Sequence, residues 1–302
     1  MARLYAYAAL MRAGLGNRLF PWARSEVFAR DQGLRLLAPN WVQAKLGPFL
    51  RRERDKRLYL GQFDNSGYVR GLRRLWILKT YDHLLEGRIA ADPQWRQKAA
   101  GRNTLAVFEG MKGWFDPIVH ERDYILRRLT QVISPRIRQM LAEAPARLPI
   151  VAHVRRGDMS RQYEIGEPFT YQKEAYSFPT YWFRRCIENV RAALGEETPV
   201  LIFSDGWPEQ LADLLSMPKV SFASPGPAIH DILLMSRARI LITSGNSSFS
   251  GWAAFLGGMP SLWYPGTTKQ VVPDRPENIL SVDAHGNIPP GSVDALRAGW
   301  SA

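Results

Sequence analysis

The second half of the chain alternates between short apolar runs and segments of helical character, and this alternation restricts the fold more than any other feature. Uninterrupted apolar runs are typical of strands buried on both faces of a parallel sheet. The predicted strands are residues 150–154, 200–204, 220–222, 239–243 and 261–264, and the predicted helices are residues 180–194, 208–215, 228–236 and 248–256. Strict alternation of strand and helix predicts an α/β fold with a doubly wound parallel sheet.

The first half begins with the same pattern and then loses it. Residues 3–9 predict a strand, a glycine turn follows, and a helix extends to about Gln32. The other predicted elements are strands at 34–37 and 105–108 and helices at 121–129 and 136–143, whereas residues 40–81 show no clear period. Pro145 and Pro149 bracket a boundary. The sequence therefore predicts two domains, residues 1–148 and residues 149–302.

Polar clusters follow three of the predicted strands. They are residues 153–158, 204–206 and 243–248. In open α/β sheets, ligands bind outside the carboxyl ends of the strands. Repeated placement of polar side chains at strand ends therefore predicts one ligand crevice built from all three clusters.

The first cluster contains two adjacent arginines. On an extended segment the side chains of Arg155 and Arg156 point to opposite faces. An arginine fork binds two oxygens of one phosphate or carboxylate and stays charged. Gly157 allows a sharp turn or a close approach to a ligand. We expect one arginine to reach a ligand and the other to brace the loop; the alternative is a surface ion pair with Asp158.

The third cluster combines hydroxyl and amide side chains, and it includes Ser244, Asn246 and Phe249. Ser247 or Ser248 suits the N-cap of the following apolar helix. A helix N-terminus behind a Gly/Ser loop binds phosphate through its dipole and its N–H groups. A cap explains one serine but not the whole cluster, which favours a phosphate site.

Two further positions suit an anionic or nucleotide ligand. Asp231 begins a predicted helix, where an aspartate serves either as a cap or as an acceptor for a purine edge such as guanine. Gly16 and Asn17 lie in the glycine turn after the first strand, which aims backbone N–H groups at an anion. Leu19 stands where the dinucleotide fingerprint requires its third glycine, so that motif is excluded.

The positive charge of the chain belongs to its first half. The net charge is +12; residues 1–148 contain 27 Lys and Arg and 13 Asp and Glu, which gives +14, and the remainder has 13 and 15, which gives −2. The densest basic run is residues 51–57. Such charge is either a solvated face or a surface for lipid headgroups, a phosphate-bearing acceptor or nucleic acid. No nucleic-acid-binding motif accompanies it, so no nucleic-acid partner is expected.

Cysteine usage and hydropathy fit a cytoplasmic protein that is at most peripheral at the inner face of a membrane. Cys186 is the only cysteine and lies in a predicted helix, where we expect a buried core thiol. No apolar run has the length of a membrane span. The apolar residues 4–11 run into the glycine motif and are interpreted as the first strand, not as a leader.

Parts of the chain resemble four motifs of the alpha-1,2-fucosyltransferase family, in the same order. Residues 153–158 (His-Val-Arg-Arg-Gly-Asp) are similar to its first motif. Residues 231–236 and 246–256 resemble its last motif, residues 14–20 its N-terminal glycine motif, and residues 203–205 (Phe-Ser-Asp) its middle motif. The chain departs from the family pattern at Arg18, at Pro21-Trp22 and at Gly251, which affects acceptor choice and linkage.

The resemblance implies two Rossmann-like doubly wound domains that face each other across a cleft, the GT-B type. It implies that residues 149–302 hold GDP-fucose and that residues 1–148 form the acceptor side, with the last residues packing back on the first domain. The implied reaction is inverting transfer of L-fucose to O2 of a galactoside, without cofactor or metal. The sequence contains no Asp-x-Asp pair for a metal-bound pyrophosphate, which agrees.

The resemblance also implies roles for particular residues. Arg155 would neutralise the departing β-phosphate, assisted by the helix end at Ser247 and Ser248, while His153 and Asp231 would hold guanine. The remaining expected substrate-binding residues are Gly16, Asn17, Arg156, Asp205, Ser244, Asn246 and Phe249. Asp158 and Glu164 are the candidates for a general base. The alternatives are transfer of another GDP-sugar, another fucose linkage, or a basic module that binds nucleic acid or lipid.

Overall fold

The computed structural model describes residues 3–42, 56–157, 159, 161–173 and 176–301. These residues form two compact units. The first holds residues up to 42 together with 58–138, and the second holds 56–57 and the residues from 139 onward. This division falls between Arg138 and Gln139, earlier in the chain than the boundary after residue 148 that the sequence predicts.

The first unit contains a sheet of four parallel strands in the order β2-β1-β4-β3. Its strands are β1 (Leu4–Ala9), β2 (Arg35–Leu36), β3 (Asp82–Leu85) and β4 (Thr104–Glu109). Its helices are α1 (Leu15–Gln32), α2 (Gly71–Thr80), α3 (Glu86–Ala91), α4 (Trp95–Lys98), α5 (Arg122–Val132) and the start of α6 (Pro135–Glu143). The strands and helices predicted with a clear period are confirmed. The structure adds α2, β3, α3 and α4.

Helix α1 is buried on most of its surface, and its charged side chains are paired. Arg18 is fully buried and donates to the carbonyl oxygens of Asn40, at 2.7 Å, and of Trp41. Glu26 accepts from Arg128 Nε at 2.9 Å. A buried charge is tolerated only when it is paired in this way, which explains why α1 has no simple polar face in the sequence.

The second unit contains a sheet of six parallel strands in the order β10-β9-β8-β5-β6-β7. Its strands are β5 (Leu148–Val154), β6 (Val200–Ser204), β7 (Val220–Phe222), β8 (Ala238–Ile242), β9 (Ser261–Trp263) and β10 (Ile279–Ser281). Its helices are α7 (Thr180–Leu194), α8 (Ala212–Leu215), α9 (Ala228–Met235), α10 (Ser248–Gly257) and α11 (Val293–Ser301). This is the doubly wound parallel sheet that the alternation predicts.

Strand β5 lies in the middle of this sheet, between β6 and β8. The chain runs outward from β5 through β6 to β7 on one side, and from β8 through β9 to β10 on the other. Val154 is paired with Ser204, and Ala152 with Ile242, so the three strands end at nearly the same level. The loops after β5, β6 and β8 therefore start side by side at the topological switch point, where open α/β sheets bind ligands.

The core of the second unit packs α7 and α11 against the sheet. Cys186 is fully buried, and burial raises the pKa of its thiol well above the usual range. The prediction of a buried core thiol is confirmed. Helix α11 packs within this unit: Leu296 is buried in its core, and Arg239 donates to the carbonyl oxygen of Trp300 at 2.6 Å.

Three features of the second unit were not predicted. The predicted helix 208–215 is a 3-10 turn (Pro208–Leu211) followed by the single turn α8, and β10 and α11 follow the last predicted strand. Across the ranges described, the chain has no helix with the length and apolar character needed to cross a membrane.

Candidate functional site

The three polar clusters meet at the carboxyl ends of β5, β6 and β8. The backbone N–H of Arg155 donates to Ser244 Oγ at 3.1 Å, across 89 positions of sequence. The N–H groups of Arg156 and Gly157 donate to Asp205 Oδ1 at 2.7 and 2.9 Å. Side chains from two neighbouring strand ends thus fix the backbone that follows β5.

Asp205 holds the loop by its backbone, and two glycines make the close packing possible. A Cβ atom on Gly157 would lie 2.6 Å from Asp205 Oδ2, and one on Gly206 would lie 2.5 Å from the Cβ of Arg156. Only glycine fits at either position. The structure therefore gives Asp205 a positioning role, and its expected contact with substrate stays a prediction.

The side chain of Arg156 is directed at a loop of its own unit. Its Nη1 donates to Ser177 Oγ at 2.9 Å and to Gln162 Oε1 at 3.0 Å. Burial lowers the pKa of this guanidinium, although Asp213 and Asp205 act in the opposite direction. These contacts are those expected of the bracing arginine. Arg155 is partly buried. It follows Val154, whose backbone is paired in the sheet, and precedes Arg156, whose backbone N–H donates to Asp205.

His153 is buried at the end of β5, with 5% of its surface exposed. Its ring stacks on Phe249 at a centroid distance of 5.3 Å. Burial lowers the pKa of His153 to about 4, helped by the charge of Arg155 and opposed by Asp205. The imidazole is therefore neutral at pH 7. Its Nδ1 is buried and has no hydrogen-bond partner among the described residues.

The loop before α10 is held by its own hydrogen bonds. Ser250 Oγ accepts from the N–H of Ser244 at 3.2 Å. Ser247 occupies the N-cap position as predicted, although its side chain makes no capping hydrogen bond. Asn246 Oδ1 is buried without a hydrogen-bond partner within the described ranges. The hydroxyl of Ser250 thus holds this loop to the first turn of α10.

Gly245 and Phe178 explain how this loop stays close to the sheet. Gly245 has φ +50°, and a Cβ atom there would lie 2.1 Å from Phe178 Cε2. Phe178 also stacks on Tyr264 at a centroid distance of 4.0 Å. The aromatic ring therefore supports the loop that carries Ser244 and Asn246.

Asp231 lies in the first turn of α9 and has local partners. Its Oδ1 is 3.0 Å from His230 Nδ1, and its Oδ2 accepts from the N–H of Gly226 at 3.3 Å. A Cβ atom on Gly226 would lie 2.5 Å from both side chains. Asp231 is thus not the N-cap of α9, which is Pro227, but its carboxylate holds the N–H of Gly226 just before the helix.

The other predicted site residues are dispersed. Gly16 and Asn17 lie at the start of α1 in the first unit. Glu164 is exposed, and its backbone N–H donates to Glu167 Oε2 at 3.0 Å. Ser248 begins α10 beside the N-cap. Asp158 lies outside the described residues.

Sequence reasoning missed the side chains that support the site from a distance. They are Gln162, Ser177, Phe178, His230 and Ser250. Ser250 lies inside one of the quoted motifs and His230 lies next to another, so their positions in the sequence could have identified them. The other three act over 6 to 67 positions of sequence, and no local pattern marks them.

Comparison with known proteins gives the fold. No protein-family model matches the sequence, and no curated protein matches it. Similar solved structures include the fucosyltransferase NodZ from Bradyrhizobium (15% identity, 85% of this chain and 94% of that one, TM-score 0.51). They also include an Arabidopsis thaliana FUT1 mutant with GDP (14% identity, 86% and 70%, TM-score 0.52) and POFUT1 with GDP (12% identity, 86% and 97%, TM-score 0.50). The predicted fold class, with two Rossmann-like doubly wound sheets of the GT-B type, is confirmed.

Proposed function

We propose that this chain is an inverting fucosyltransferase that moves L-fucose from GDP-fucose to O2 of a galactoside. The observation that carries the proposal is the fixed loop after β5, in which Arg155 lies between the sheet and a backbone anchored by Asp205. Four motifs similar to those of alpha-1,2-fucosyltransferases support it. Similar folds have been solved with GDP bound, which supports the donor.

The first step of the proposed reaction requires a fixed cation. As the bond between the anomeric carbon and the β-phosphate oxygen breaks, negative charge grows on the phosphate. A preorganised cation stabilises that charge without reorganisation during the reaction. In our proposal Arg155 provides it. The N-terminus of α10 assists with its dipole, because no side chain of its N-cap residue occupies the capping position.

Guanine recognition is assigned to His153 and Asp231. The neutral imidazole of His153 offers Nδ1 as an acceptor or a donor, and the carboxylate of Asp231 would accept two hydrogen bonds from the guanine edge. Asn246, with its buried and unpaired Oδ1, is assigned to the donor as well. Ser244 and Phe249 act through neighbours: Ser244 fixes the backbone of Arg155, and Phe249 supports the ring of His153.

The acceptor hydroxyl attacks the anomeric carbon from the face opposite the leaving phosphate, so a β-linked donor gives an α-linked product. Asn17 is the proposed contact to the phosphate or the fucose, and Gly16 lies beside it among the substrate-binding residues. Glu164 and Asp158 are the candidates for the base that takes the hydroxyl proton. No metal is required in this scheme, because Arg155 and the helix end carry the phosphate charge.

Two measurements test the proposal. Calorimetry with GDP, GTP, UDP and an oligonucleotide should show selective binding of GDP. Salt-sensitive oligonucleotide binding without nucleotide preference would instead support a basic nucleic-acid module. Turnover of GDP-fucose against a panel of terminal galactosides, with NMR of the product, tests the linkage. A 6-linked product, or turnover of another GDP-sugar only, would refute the O2 assignment.

A further inference from the structure

Helix α2 of the first unit exposes the side chains that a helix normally buries. Leu72, Leu75 and Trp76 are exposed by 85%, 49% and 51% of their surface. With Lys79 they follow the spacing i, i+3, i+4, i+7, which places them along one side of the helix. We call these four residues the α2 face. Contiguous exposed apolar side chains on a soluble protein mark an interaction surface.

The opposite side of α2 is attached to the unit by polar contacts as well as by packing. Ile77 is the buried residue of the helix. Arg73 Nη2 donates to the hydroxyl of Tyr5 at 2.6 Å, and Arg74 Nε donates to the carbonyl oxygen of Ala38 at 2.7 Å. Two arginines thus help to tie the helix down, together with Ile77 and the partly buried Leu78, while two leucines and a tryptophan stay exposed.

The charge around the α2 face has one sign. Residues 70–80 contain Arg70, Arg73, Arg74 and Lys79, and no acidic residue occurs between Asp64 and Asp82. The helix belongs to the half of the chain that carries +14, from 27 basic and 13 acidic residues. An apolar face edged by Lys and Arg complements the surface of an anionic bilayer, where basic side chains meet the headgroups and Leu and Trp enter the boundary of the acyl chains.

We propose that the α2 face docks on an anionic phospholipid membrane and holds the protein at the bilayer surface. A second copy of the chain fits less well, because stable protein interfaces use roughly 20–30 residues a side and this face is one side of a ten-residue helix. Like charges would also oppose each other across such a pair. The proposal does not depend on sugar transfer, since binding to lipid is measured without donor or acceptor.

Cosedimentation of the full chain with vesicles tests the proposal. Vesicles of phosphatidylcholine mixed with phosphatidylserine should bind the protein, vesicles of phosphatidylcholine alone should bind it weakly, and salt should release it. Leu72→Ser should lower the partition coefficient by about tenfold or more, because this leucine enters the boundary region. Lys79→Glu should lower it at least about fivefold on the anionic vesicles.

The chain offers a matched control. Trp207 is exposed by 52%, about as much as Trp76, and lies in the second unit. Trp76→Ser should weaken binding to anionic vesicles, and Trp207→Ser should not. Leu72 is exposed enough that its variant should keep the unfolding midpoint of the parent. Equal binding to both kinds of vesicle, equal losses in the two tryptophan variants, or full binding by a folded Leu72→Ser protein would overturn the proposal. A dimer that Leu72→Ser dissociates, without vesicle binding, would overturn it in favour of a second copy.

Discussion

Removing the carboxylate of Asp205 tests whether the loop after β5 is positioned as the structure indicates. Its Oδ1 accepts two backbone N–H groups, from Arg156 at 2.7 Å and from Gly157 at 2.9 Å. A hydrogen bond to a charged group contributes about 1.5–3 kcal/mol. Asp205 is partly exposed, so solvent screening favours the lower value. Asp205→Ala should therefore lower the free energy of unfolding by about 3 kcal/mol.

Asp205→Asn keeps an acceptor but removes its charge. Neutral hydrogen bonds contribute about 0.5–1.5 kcal/mol each, so this variant should lose at most about 2 kcal/mol. The assay is urea unfolding of both variants, followed by calorimetry with GDP. Glu209→Gln is the matched control, because it removes the same charge from an exposed position of the same loop region.

The pattern of losses separates positioning from contact. A positioning role predicts that GDP affinity falls with stability, more in the alanine variant than in the asparagine variant. If Asp205→Ala unfolds like the parent, the two hydrogen bonds do not support the loop and the reasoning fails. If both variants are stable and both lose GDP binding equally, Asp205 contacts the nucleotide directly.

Three further predictions concern the proposed chemistry. Arg155→Lys and Arg155→Ala should each lower kcat by about 10²–10³ while staying folded, because an ammonium has no fork; near-normal turnover of a folded Arg155→Lys would remove this arginine from the mechanism. Transfer should survive EDTA with little loss, and abolition restored by Mn²⁺ would contradict a metal-free reaction. The folded pKa of His153, about 4, lies below its unfolded value near 6.5. The unfolded state therefore binds the proton first, and stability should fall by roughly 3 kcal/mol as the pH drops from 6.5 to 4. In urea titrations His153→Gln should flatten that slope; an unchanged slope would exclude the buried imidazole as its cause.

Periodicity predicted the central strands and helices of the second unit, because these strands are buried on both faces and these helices have apolar sides, but it missed β10 and α11. Strand β5 begins two residues before the predicted start at Ile150, and the central elements differ by one or two residues at their ends. The meeting of the three polar clusters followed from a general property of parallel sheets, whose carboxyl ends lie along one edge.

The elements that escaped prediction lack such a period for identifiable reasons. Strand β3 is an edge strand with both faces largely exposed, so its residues do not alternate. Helix α2 packs only Ile77 and part of Leu78 against the core and leaves two leucines and a tryptophan exposed, which weakens the pattern that marks an amphipathic surface helix. The sequence pattern therefore does not show which side of α2 is exposed, and only the tertiary contacts identify the α2 face.

The details of the site depended on contacts that no spacing encodes. The sequence offered two roles for the adjacent arginines, and the structure assigns the bracing role to Arg156 through Ser177 and Gln162. It also places Ser247 at the N-cap without a side-chain cap and holds that loop through the hydroxyl of Ser250, which accepts from the N–H of Ser244 and donates to the carbonyl oxygen of Ser247. Such pairings depend on the path of a loop. The sequence therefore predicted which residue types would form the site, but not which side chains they would bind.

The two proposals depend on positive charge of different kinds, and salt distinguishes them. The donor site lies in the half of the chain with a net charge of −2, from 13 basic and 15 acidic residues, and it relies on arginines fixed in partly buried positions. Such charges are screened weakly. The α2 face relies on exposed Lys79 and Arg70, whose attraction to headgroups decays within a Debye length. Salt that releases the protein from anionic vesicles should therefore leave GDP binding nearly unchanged. Parallel loss of both would show that one diffuse basic surface binds lipid and nucleotide alike, and the preorganised site would have no independent support.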